Sequence, residues 1–269
     1  MNKVVLITGC SSGIGRDLSQ RLSLAGYTVI ATARNSGSLT HLDAAEKLSL
    51  DVTRSGSITQ AVEAILEKFG RIDVLVNNAG YAQVGAIEDL TDDQVHQLYE
   101  VNVFGVLRMV RAVLPVMRKQ GSGQIINISS IAGKLVTPVN GVYASSKFAL
   151  EALSDALRLE VEPFNVQVIL IEPGAIKTNF DQTVHVFGDE ITSNQTSPYY
   201  PLYQKYQQVA DGMRGNEPGP EAVSRTVQTA IESSNPKVCY LAGVGLPVKA
   251  AIRFRDVVWK RTVRQLFKA

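Results

Sequence analysis

The sequence predicts an α/β protein in which a parallel β-sheet is covered by helices on both faces. Short runs of apolar, β-branched residues alternate with longer segments whose apolar residues recur at helical spacing. The strand runs are apolar almost without interruption, as expected of strands that are buried on both sides of a parallel sheet. The alternation of strands and helices along the chain indicates the same architecture.

The first half of the chain shows this alternation with clear boundaries. A nearly continuous apolar run after Asn2 marks the first strand, and Gly26 and Gly70 end the two helices that follow. The predicted elements are strand 3–8, helix 14–25, strand 27–33, strand 47–52, helix 55–69 and strand 72–76.

The second half continues the pattern with longer helices. The stretch Thr91-Asp92-Asp93-Gln94 matches a capping box and opens a helix that extends through Lys119. Pro220 and Glu221 suit the first turn of a later helix. The predicted elements are helix 91–119, strand 123–129, helix 141–162, strand 166–172, helix 220–233 and strand 238–241.

Small, polar and glycine residues collect where the predicted strands end. In a parallel sheet, ligands bind beyond the carboxyl ends of the strands, at the point where the strand order reverses. The sequence therefore predicts a ligand site along this edge. The residues at the strand ends are Thr8-Gly9, Arg34, Asp51, Asn77-Asn78-Ala79-Gly80, Ser129-Ser130 and Pro173-Gly174.

A glycine-rich turn with the spacing G-x-x-x-G-x-G links the first strand to the first helix. Glycine lets the backbone turn tightly and approach a pyrophosphate, while the helix N-terminus supplies N–H groups and positive potential. Many strand–helix turns need glycine for packing alone, but a turn at the start of an α/β chain favours a dinucleotide site. The residues predicted to hold the cofactor are Gly9, Ser11, Ser12, Gly13, Ile14 and Gly15.

Arg34 favours NADP over NAD as the cofactor. An NAD site usually carries Asp or Glu at the end of the second strand, where it binds the ribose 2′-hydroxyl. Here that strand ends in Ala31-Thr32-Ala33-Arg34-Asn35, without an acid. A guanidinium group matches a 2′-phosphate through charge-assisted hydrogen bonds. The alternative is that Arg34 is a solvated loop residue, and NAD(H) stays open as a second cofactor.

Tyr143 and Lys147 carry the chemistry that the sequence predicts. They lie four residues apart, with Ser130 thirteen residues upstream, and positions i and i+4 share one face of a helix. The ordinary pKa of tyrosine is about 10, and a nearby positive charge lowers it toward the range useful for general acid–base catalysis. The pair predicts proton transfer to or from an alcohol or carbonyl. The alternative is an ordinary solvated helix face.

The composition argues against several other classes of protein. Of the 269 residues, 45% are hydrophobic and 19% charged, and the net charge of +2 is too small to indicate nucleic-acid binding. Cys10 and Cys239 lie far apart without metal-ligand spacing, which predicts free thiols, no metal site and a reducing, cytoplasmic compartment. The first apolar run begins at Val4, and no apolar stretch reaches about 20 residues, so we expect neither a signal peptide nor a membrane span.

Together, these residues resemble the classical short-chain dehydrogenase/reductase family, in particular its hydroxysteroid and retinol dehydrogenases. The resemblance is close from residue 3 to about residue 180 and looser beyond. It implies a single Rossmann-type, doubly wound domain over residues 1–269, with about seven parallel strands in the order 3-2-1-4-5-6-7. The matching motifs are Thr8 to Gly15, Asp51-Val52, Asn77 to Gly80, Asn102, Ser129-Ser130, Tyr143-x-x-x-Lys147, and Pro173-Gly174 with Thr178.

The resemblance also implies a role for each matching residue. Tyr143 exchanges a proton with the substrate oxygen that Ser130 orients, and Lys147 lowers the Tyr143 pKa and binds the nicotinamide ribose. Asn102 holds a water that links Lys147 to solvent. Without the family resemblance, Asn102 is equally well explained as an amide tolerated in a helix. The other implied cofactor contacts are Asp51 and Val52 at the adenine, Asn78, Ala79 and Gly80 along the floor, Ile176 and Thr178 at the carboxamide, and Pro173 and Gly174.

Two segments depart from the regular pattern. Residues 179–219 are either a lid over an apolar substrate or, around a tyrosine stripe with helical spacing, a helix packed on the core. Residues 246–267 predict a basic, partly amphipathic helix, which we expect to dock on its own domain or on a partner subunit, with membrane contact as the alternative. The aromatic residues of the first segment are Phe180, Phe187, Tyr199, Tyr200, Tyr203 and Tyr206.

The sequence thus predicts an NADP-dependent oxidoreductase that interconverts a hydrophobic ketone or aldehyde and an alcohol by hydride transfer. The family implies a homodimer or homotetramer that pairs through the helices at 92–119 and 141–162. Hydroxysteroid or retinol dehydrogenase, 3-oxoacyl thioester reductase and broad carbonyl reductase stay open as activities. The rival class is a non-catalytic NADP-binding regulator on the same fold, which would not need the proton-transfer pair.

Overall fold

The computed structural model describes residues 2–178, 190–213, 215 and 217–254. These residues form a seven-stranded sheet in the order β3-β2-β1-β4-β5-β6-β7. Every neighbouring pair of strands is parallel, which confirms the predicted sheet and its strand order. The strands are β1 Val4–Ile7, β2 Thr28–Ala33, β3 Glu46–Ser49, β4 Val74–Asn77, β5 Gly123–Ile128, β6 Val166–Pro173 and β7 Cys239–Ala242.

Eight α-helices lie in the described part of the chain, and they follow the predicted alternation. Gly70 ends a helix in the left-handed conformation, with φ of +72°. The capping box is also present, because the Thr91 hydroxyl accepts from the Gln94 N–H at 3.2 Å and the Gln94 side chain accepts from the Thr91 N–H at 2.9 Å. The helices are α1 Gly13–Leu24, α2 Ser55–Phe69, α3 Asp92–Tyr99, α4 Val106–Gln120, α5 Gly141–Val161, α6 Tyr200–Met213, α7 Glu221–Glu232 and α8 Leu246–Arg253.

The sheet separates two apolar cores, one on each face. Successive side chains of a strand point to opposite faces. Accordingly, Leu6 of β1 packs into one core and Ile7 into the other. Helices α2, α4 and α5 contribute to the first core, and α1 and α7 contribute to the second. This arrangement confirms the doubly wound Rossmann-type fold and explains why the strands are apolar without interruption.

The predicted helix 91–119 contains a π-helical segment at Glu100–Gly105, which lies between α3 and α4. Its Asn102 side chain points inward, accepting from the Tyr81 N–H at 3.1 Å and donating to the Tyr81 carbonyl at 2.9 Å. Widened helical turns of this kind are frequent at functional sites. The unbroken helical run 92–120 otherwise matches the prediction, but the periodicity of apolar residues does not reveal one extra residue in a turn, so the sequence did not predict the π-helical segment.

The third strand is also shorter than predicted. It ends at Ser49, and Asp51 and Val52 lie beyond it in a turn. The Asp51 carboxylate accepts from the N–H of Thr53 at 2.9 Å and from its hydroxyl at 2.8 Å. Side-chain bonds to nearby backbone compete with a strand ladder, which is why the strand stops before Asp51.

The described part of segment 179–219 packs on the core. Tyr203 of α6 is fully buried, and its hydroxyl donates to Asp89 at 2.5 Å and accepts from the Ala86 N–H at 3.0 Å. This matches the alternative of a helix packed with its aromatic side inward. Phe180 and Phe187 lie outside the described residues, as does most of the predicted helix 246–267, of which the structure describes α8 and Phe254.

Candidate active site

The glycine-rich turn forms a tight cradle between β1 and α1. Gly9 and Gly13 have φ of +75° and +55°, a conformation that favours glycine. A Cβ on Gly15 would lie 2.3 Å from the Gly9 carbonyl oxygen, so only glycine fits there. Ser11 and Ser12 are exposed, and the first turn of α1 carries neither an acidic residue nor a side-chain cap from Ser12. Its N–H groups can therefore receive an anion such as a pyrophosphate.

The end of β4 lies directly against this cradle. The Asn78 side-chain amide donates to the carbonyl oxygens of Thr8 at 2.9 Å and Gly9 at 3.0 Å. The Ala79 N–H donates to the Thr8 hydroxyl at 3.0 Å. The predicted floor residues Asn78, Ala79 and Gly80 thus hold the turn in place and extend it toward α5.

Arg34 and Asp51 stand at the neighbouring strand ends. Arg34 is exposed directly after β2. Burial raises the pKa of the Asp51 carboxyl, but the hydrogen bonds from Thr53 and the positive charges of Arg54 and Arg34 outweigh it, so the pKa falls below its ordinary value. The Arg34 charge is therefore close to Asp51. Val52 is buried and contacts the π-helical segment, since a Cβ on Gly105 would lie 2.9 Å from its Cγ2.

The residues after β6 close the other side of the cradle. Pro173 is the last residue of β6, and the Gly174 N–H donates to the Ala242 carbonyl of β7 at 2.9 Å. Ile176 packs close to Gly243. A Cβ on Gly13 would lie 3.4 Å from the Thr178 Cβ, so Thr178 faces the glycine turn across a narrow gap. The predicted contacts on both sides of the turn are thus brought together.

Helix α5 brings Tyr143 and Lys147 together with Ser130. The Lys147 Nζ lies 5.9 Å from the centre of the Tyr143 ring, and Ser130 is hydrogen-bonded to the Tyr143 side chain. Lys147 is buried, and its Nζ donates to the Ile128 carbonyl at the end of β5 at 3.0 Å. The three side chains predicted from spacing therefore form one polar group at the carboxyl edge of the sheet.

The expectation that Lys147 lowers the pKa of Tyr143 is not met in this structure. Burial raises the pKa of Tyr143 to about 12; the Ser130 hydrogen bond opposes this rise, and the Tyr206 hydroxyl adds to it. Burial also lowers the pKa of Lys147 to about 8, with Glu151 acting in the opposite direction. Desolvation of both groups thus outweighs the attraction between an ammonium and a phenolate.

Asn102 joins the cradle to the Lys147 side. A Cβ on Gly80 would lie 3.1 Å from the Asn102 Oδ1 and 3.8 Å from the Lys147 Nζ. The Asn102 amide also donates to the Ser146 hydroxyl of α5 at 3.2 Å. The glycine turn, Gly80, Asn102 and Lys147 are therefore contiguous, and a side chain at Gly80 would crowd Asn102 and contact Lys147.

Comparison with known proteins identifies the family. A family model described as short chain dehydrogenase matches residues 3–186, more than half of the chain. The chain belongs to the short-chain dehydrogenase family. It is thus an oxidoreductase by family, and the glycine turn, Asn102, Ser130, Tyr143 and Lys147 all fall inside the matched residues.

Two relatives within this short-chain dehydrogenase family carry names that state what they act on. A 3-ketodihydrosphingosine reductase from Bacteroides thetaiotaomicron is 39% identical over 234 residues, or 87% of this chain and 85% of the relative. The human 17-beta-hydroxysteroid dehydrogenase type 1 is 36% identical over 252 residues, or 88% of this chain and 76% of the relative.

Solved structures of short-chain dehydrogenases share the fold. One from Streptomyces avermitilis has a TM-score of 0.80 at 35% identity, covering 98% of this chain and 99% of its own. A 3-ketoacyl-(acyl-carrier-protein) reductase from Brucella melitensis, complexed with NADH, has a TM-score of 0.73 at 25% identity, covering 89% and 96%. A Thermococcus sibiricus alcohol dehydrogenase, complexed with 5-hydroxy-NADP, has a TM-score of 0.72 at 25% identity, covering 91% and 97%.

A buried charged cluster beside the candidate site of this short-chain dehydrogenase was missed by the sequence reasoning. Glu151 of α5 accepts from the Ser129 hydroxyl at 2.5 Å and pairs with the Lys134 Nζ at 2.8 Å. Lys134 also lies 3.5 Å from Glu172 of β6. The available signal was an acid four residues after Lys147 on the same helix face.

The described ranges of this short-chain dehydrogenase lack two kinds of feature, a group of side chains suited to a metal ion and a membrane-spanning helix. No group of three or more His, Cys, Asp or Glu side chains there could hold a metal ion. No helix in the same ranges combines the length and hydropathy of a membrane span.

Replacing Gly15 with alanine should destabilise the cradle. Because the added Cβ would meet the Gly9 carbonyl oxygen, the backbone must shift, and overpacking of this kind costs about 1–3 kcal/mol in the free energy of unfolding. Gly56 of α2 is the matched control, since a Cβ there meets nothing within 4 Å. Urea unfolding should show a loss for Gly15→Ala and none for Gly56→Ala; equal stabilities would contradict the described turn.

Replacing Lys147 with methionine should stabilise the protein at pH 7. The wild type buries an ammonium whose pKa falls from 10.5 to about 8, equivalent to about 3 kcal/mol, partly offset by the bond to Ile128. Between about pH 8 and pH 10.5 the unfolded chain binds the Lys147 proton more strongly than the folded protein, so the free energy of unfolding of the wild type rises with pH. The difference in stability between Lys147→Met and the wild type therefore shrinks over this range.

The measurement is urea unfolding of Lys147→Met and wild type from pH 7 to pH 10, with the exposed Lys119→Met as control. The Lys119 variant should keep a pH-independent difference from wild type. If the stability difference between Lys147→Met and the wild type instead grows with pH, the pKa of Lys147 is not lowered in the folded protein.

Proposed function

We propose that this protein is an NADP(H)-dependent oxidoreductase that interconverts a hydrophobic ketone or aldehyde and the corresponding alcohol. The observation that carries the proposal is the group formed by Ser130, Tyr143 and Lys147, which Asn102 and Gly80 connect to the glycine turn. In this arrangement, a bound nicotinamide would supply or accept the hydride, and the protein would correspondingly supply or accept the proton.

Tyr143 acts as the general acid in reduction. Burial raises the pKa of Tyr143 to about 12, so the phenol keeps its proton throughout the neutral range and can donate it to a developing alkoxide. Ser130, already bonded to Tyr143, holds the same substrate oxygen through its hydroxyl. In the oxidation direction, Tyr143 must first lose its proton, which makes reduction the direction that the described electrostatics favour.

Lys147 and Asn102 return the proton to Tyr143. Lys147 has a pKa of about 8, near enough to neutrality to release and regain a proton during turnover. Asn102 lies beside Gly80, and Gly80 lies close to the Lys147 Nζ. The Asn102 side-chain amide is held by two hydrogen bonds to the backbone of Tyr81. We assign Asn102 to holding the water through which Lys147 exchanges protons with solvent.

The cradle fits a dinucleotide with a 2′-phosphate. Any side chain at Gly15 would fill the space beside the Gly9 carbonyl, so this turn is shaped for close approach of a ligand to its backbone. Arg34 is exposed at the end of β2, where a guanidinium can bind a phosphate, and the neighbouring acid Asp51 is hydrogen-bonded by Thr53. NAD(H) is the second candidate, as the Brucella melitensis reductase was complexed with NADH.

A large apolar substrate is proposed from the relatives and from α6. The names of two relatives specify a ketosphingoid base and a steroid, both bulky apolar carbonyl or alcohol compounds. Here Tyr206 of α6 lies close enough to Tyr143 to affect its pKa, so α6 borders the reacting centre. A 3-oxoacyl thioester is the second substrate class, because the Brucella melitensis structure is a ketoacyl reductase.

We further propose a single domain that forms a homodimer or homotetramer in the cytoplasm. Phe104 of the π-helical segment and Leu159 of α5 are exposed, 41% and 73%, on the helices through which the family implies pairing. Cys10 and Cys239 are both free, in keeping with a reducing compartment. Sedimentation equilibrium of wild type and Leu159→Glu tests the assembly.

The decisive test is turnover of NADPH with a panel of hydrophobic ketones. Tyr143→Phe should reduce kcat at least a hundredfold, because general acid–base groups contribute about 10²–10⁴ in rate, while NADPH binding stays within a few-fold of wild type. Tyr27→Phe, which lies at the opposite edge of the sheet, is the matched control. Tight NADPH binding without turnover across the panel would favour a non-catalytic regulator.

Arg34→Asp should shift the cofactor preference toward NADH. An aspartate there would repel a 2′-phosphate and accept from a ribose hydroxyl, so the ratio of kcat/KM for NADPH over NADH should fall at least tenfold, about 1.4 kcal/mol. Arg225→Asp, an exposed change of the same charge on α7, should leave the ratio unaltered. If Arg34→Asp also leaves the ratio unaltered, another residue binds the 2′-phosphate.

A further inference from the structure

The end of β5 is joined to one face of α5 by a row of side-chain bonds. Four consecutive residues of the strand end each meet a different turn of the helix, and their helix partners lie at i, i+4, i+8 and i+11, which is a single face. The pairs are Asn127 with Ser154 at 2.8 Å, the Ile128 carbonyl with Lys147 at 3.0 Å, Ser129 with Glu151 at 2.5 Å, and Ser130 with Tyr143.

Glu151 is the one acid in this row, and it is buried, with 5% of its surface exposed. One carboxylate oxygen accepts from Ser129, and the other pairs with Lys134. Both partners belong to the segment that carries Ser130, whereas Glu151 belongs to the helix that carries Tyr143 and Lys147. A buried carboxylate costs stability unless it is paired and hydrogen-bonded, and Ser129 and Lys134 meet that requirement here.

We propose that Glu151 is a positioning residue for the reaction: its carboxylate holds the Ser130 segment against α5 and supplies the negative charge that keeps the neighbouring Lys147 protonated. This inference rests on the proposed function, in which Ser130, Tyr143 and Lys147 act together. Glu151 itself touches neither the substrate oxygen nor the cradle; it acts through Ser129, Lys134 and Lys147.

Close packing supports the mechanical part of this role. A Cβ on Gly133 would lie 3.0 Å from the Glu151 Cγ and 3.1 Å from the Ser129 hydroxyl oxygen. The segment between Ser129 and Lys134 thus lies directly on the Glu151 side chain, with no room for a larger residue at Gly133. Movement of the Glu151 carboxylate would displace the residues on either side of Ser130.

The surrounding charges support the electrostatic part. Lys147 faces Glu151 from the same helix, and Lys134 faces Glu151 from the Ser130 segment. Glu172 of β6 lies on the other side of Lys134 and accepts a hydrogen bond from the Cys239 thiol of β7. Burial lowers the pKa of Lys147 and Glu151 opposes that fall, which leaves a pKa of about 8. Removing the Glu151 charge would remove the group that opposes the effect of burial on Lys147, which favours loss of the Lys147 proton.

The test is the pH profile of Glu151→Gln, which keeps the shape and the oxygen that Ser129 bonds but removes the charge. If protonated Lys147 is needed for turnover, the alkaline limb of kcat/KM should move down by about one pH unit, since neighbouring charges shift a pKa by that order. Activity should then be within about twofold of wild type at pH 6 and about tenfold lower at pH 9. Glu63→Gln on α2, which is exposed, is the matched control.

Ser129→Ala separates the two parts of the role. It keeps the Glu151 charge but removes the bond to the Ser130 segment, so it should lower kcat at every pH without moving the alkaline limb. A wild-type pH profile for folded Glu151→Gln would overturn the proposal. A pH-independent loss in both variants would also overturn it, because Glu151 would then be structural only.

A readout without turnover distinguishes this proposal from the proposed function. In protein labelled with [13C]lysine, the Cε chemical shift of Lys147, assigned with Lys147→Met, reports its pKa directly. That pKa should fall in Glu151→Gln whether or not the wild type reduces any tested ketone. An unchanged Lys147 titration would overturn the inference about Glu151 alone, whereas absent wild-type turnover with a shifted titration would overturn only the proposed function.

Discussion

The junction between the carboxyl end of β5 and one face of α5 is the constraint on which the site depends. Ser130, Tyr143 and Lys147 are brought together because the strand end and the helix are bonded residue by residue, from Asn127 to Ser130. Their spacing is therefore set by backbone elements that belong to the core. A site on rigid elements holds its geometry better than one on loops, which suits a proton transfer that requires close contact.

Burial has opposite effects on the two groups proposed to move the proton. It raises the pKa of Tyr143 from 10 to about 12 and lowers that of Lys147 from 10.5 to about 8. The lysine thus becomes the stronger acid of the two, and the phenol keeps its proton at neutral pH. In the proposed reaction, a proton lost from Tyr143 to substrate would be replaced from the Lys147 side, and this order of acidities would favour reduction over oxidation.

The sequence predicted the fold, and it predicted which side chains lie together at the carboxyl edge of the sheet, because both depend on local patterns. The apolar strands, the glycine turn and the spacing of Tyr143 and Lys147 each follow from geometry that one segment determines. It did not predict the π-helical turn at Asn102, because the bonds to Tyr81 that accompany it join residues 21 positions apart. Nor did it predict the direction of the Tyr143 pKa shift, because spacing along a helix reports proximity but not desolvation.

A second set of contacts joins α6, which the proposed function places beside the substrate, to the residues around Tyr143. Asp89 accepts from the hydroxyls of Tyr203 and Ser197, which anchors α6 to the segment after β4. Further along α6, the Tyr206 hydroxyl accepts from Asn140, the residue before α5, and acts on the pKa of Tyr143. A substrate that displaced α6 would therefore alter the polarity around Tyr143. Under the proposed function, the fit of an apolar substrate and the acidity of the proton donor would in this way be coupled through one helix.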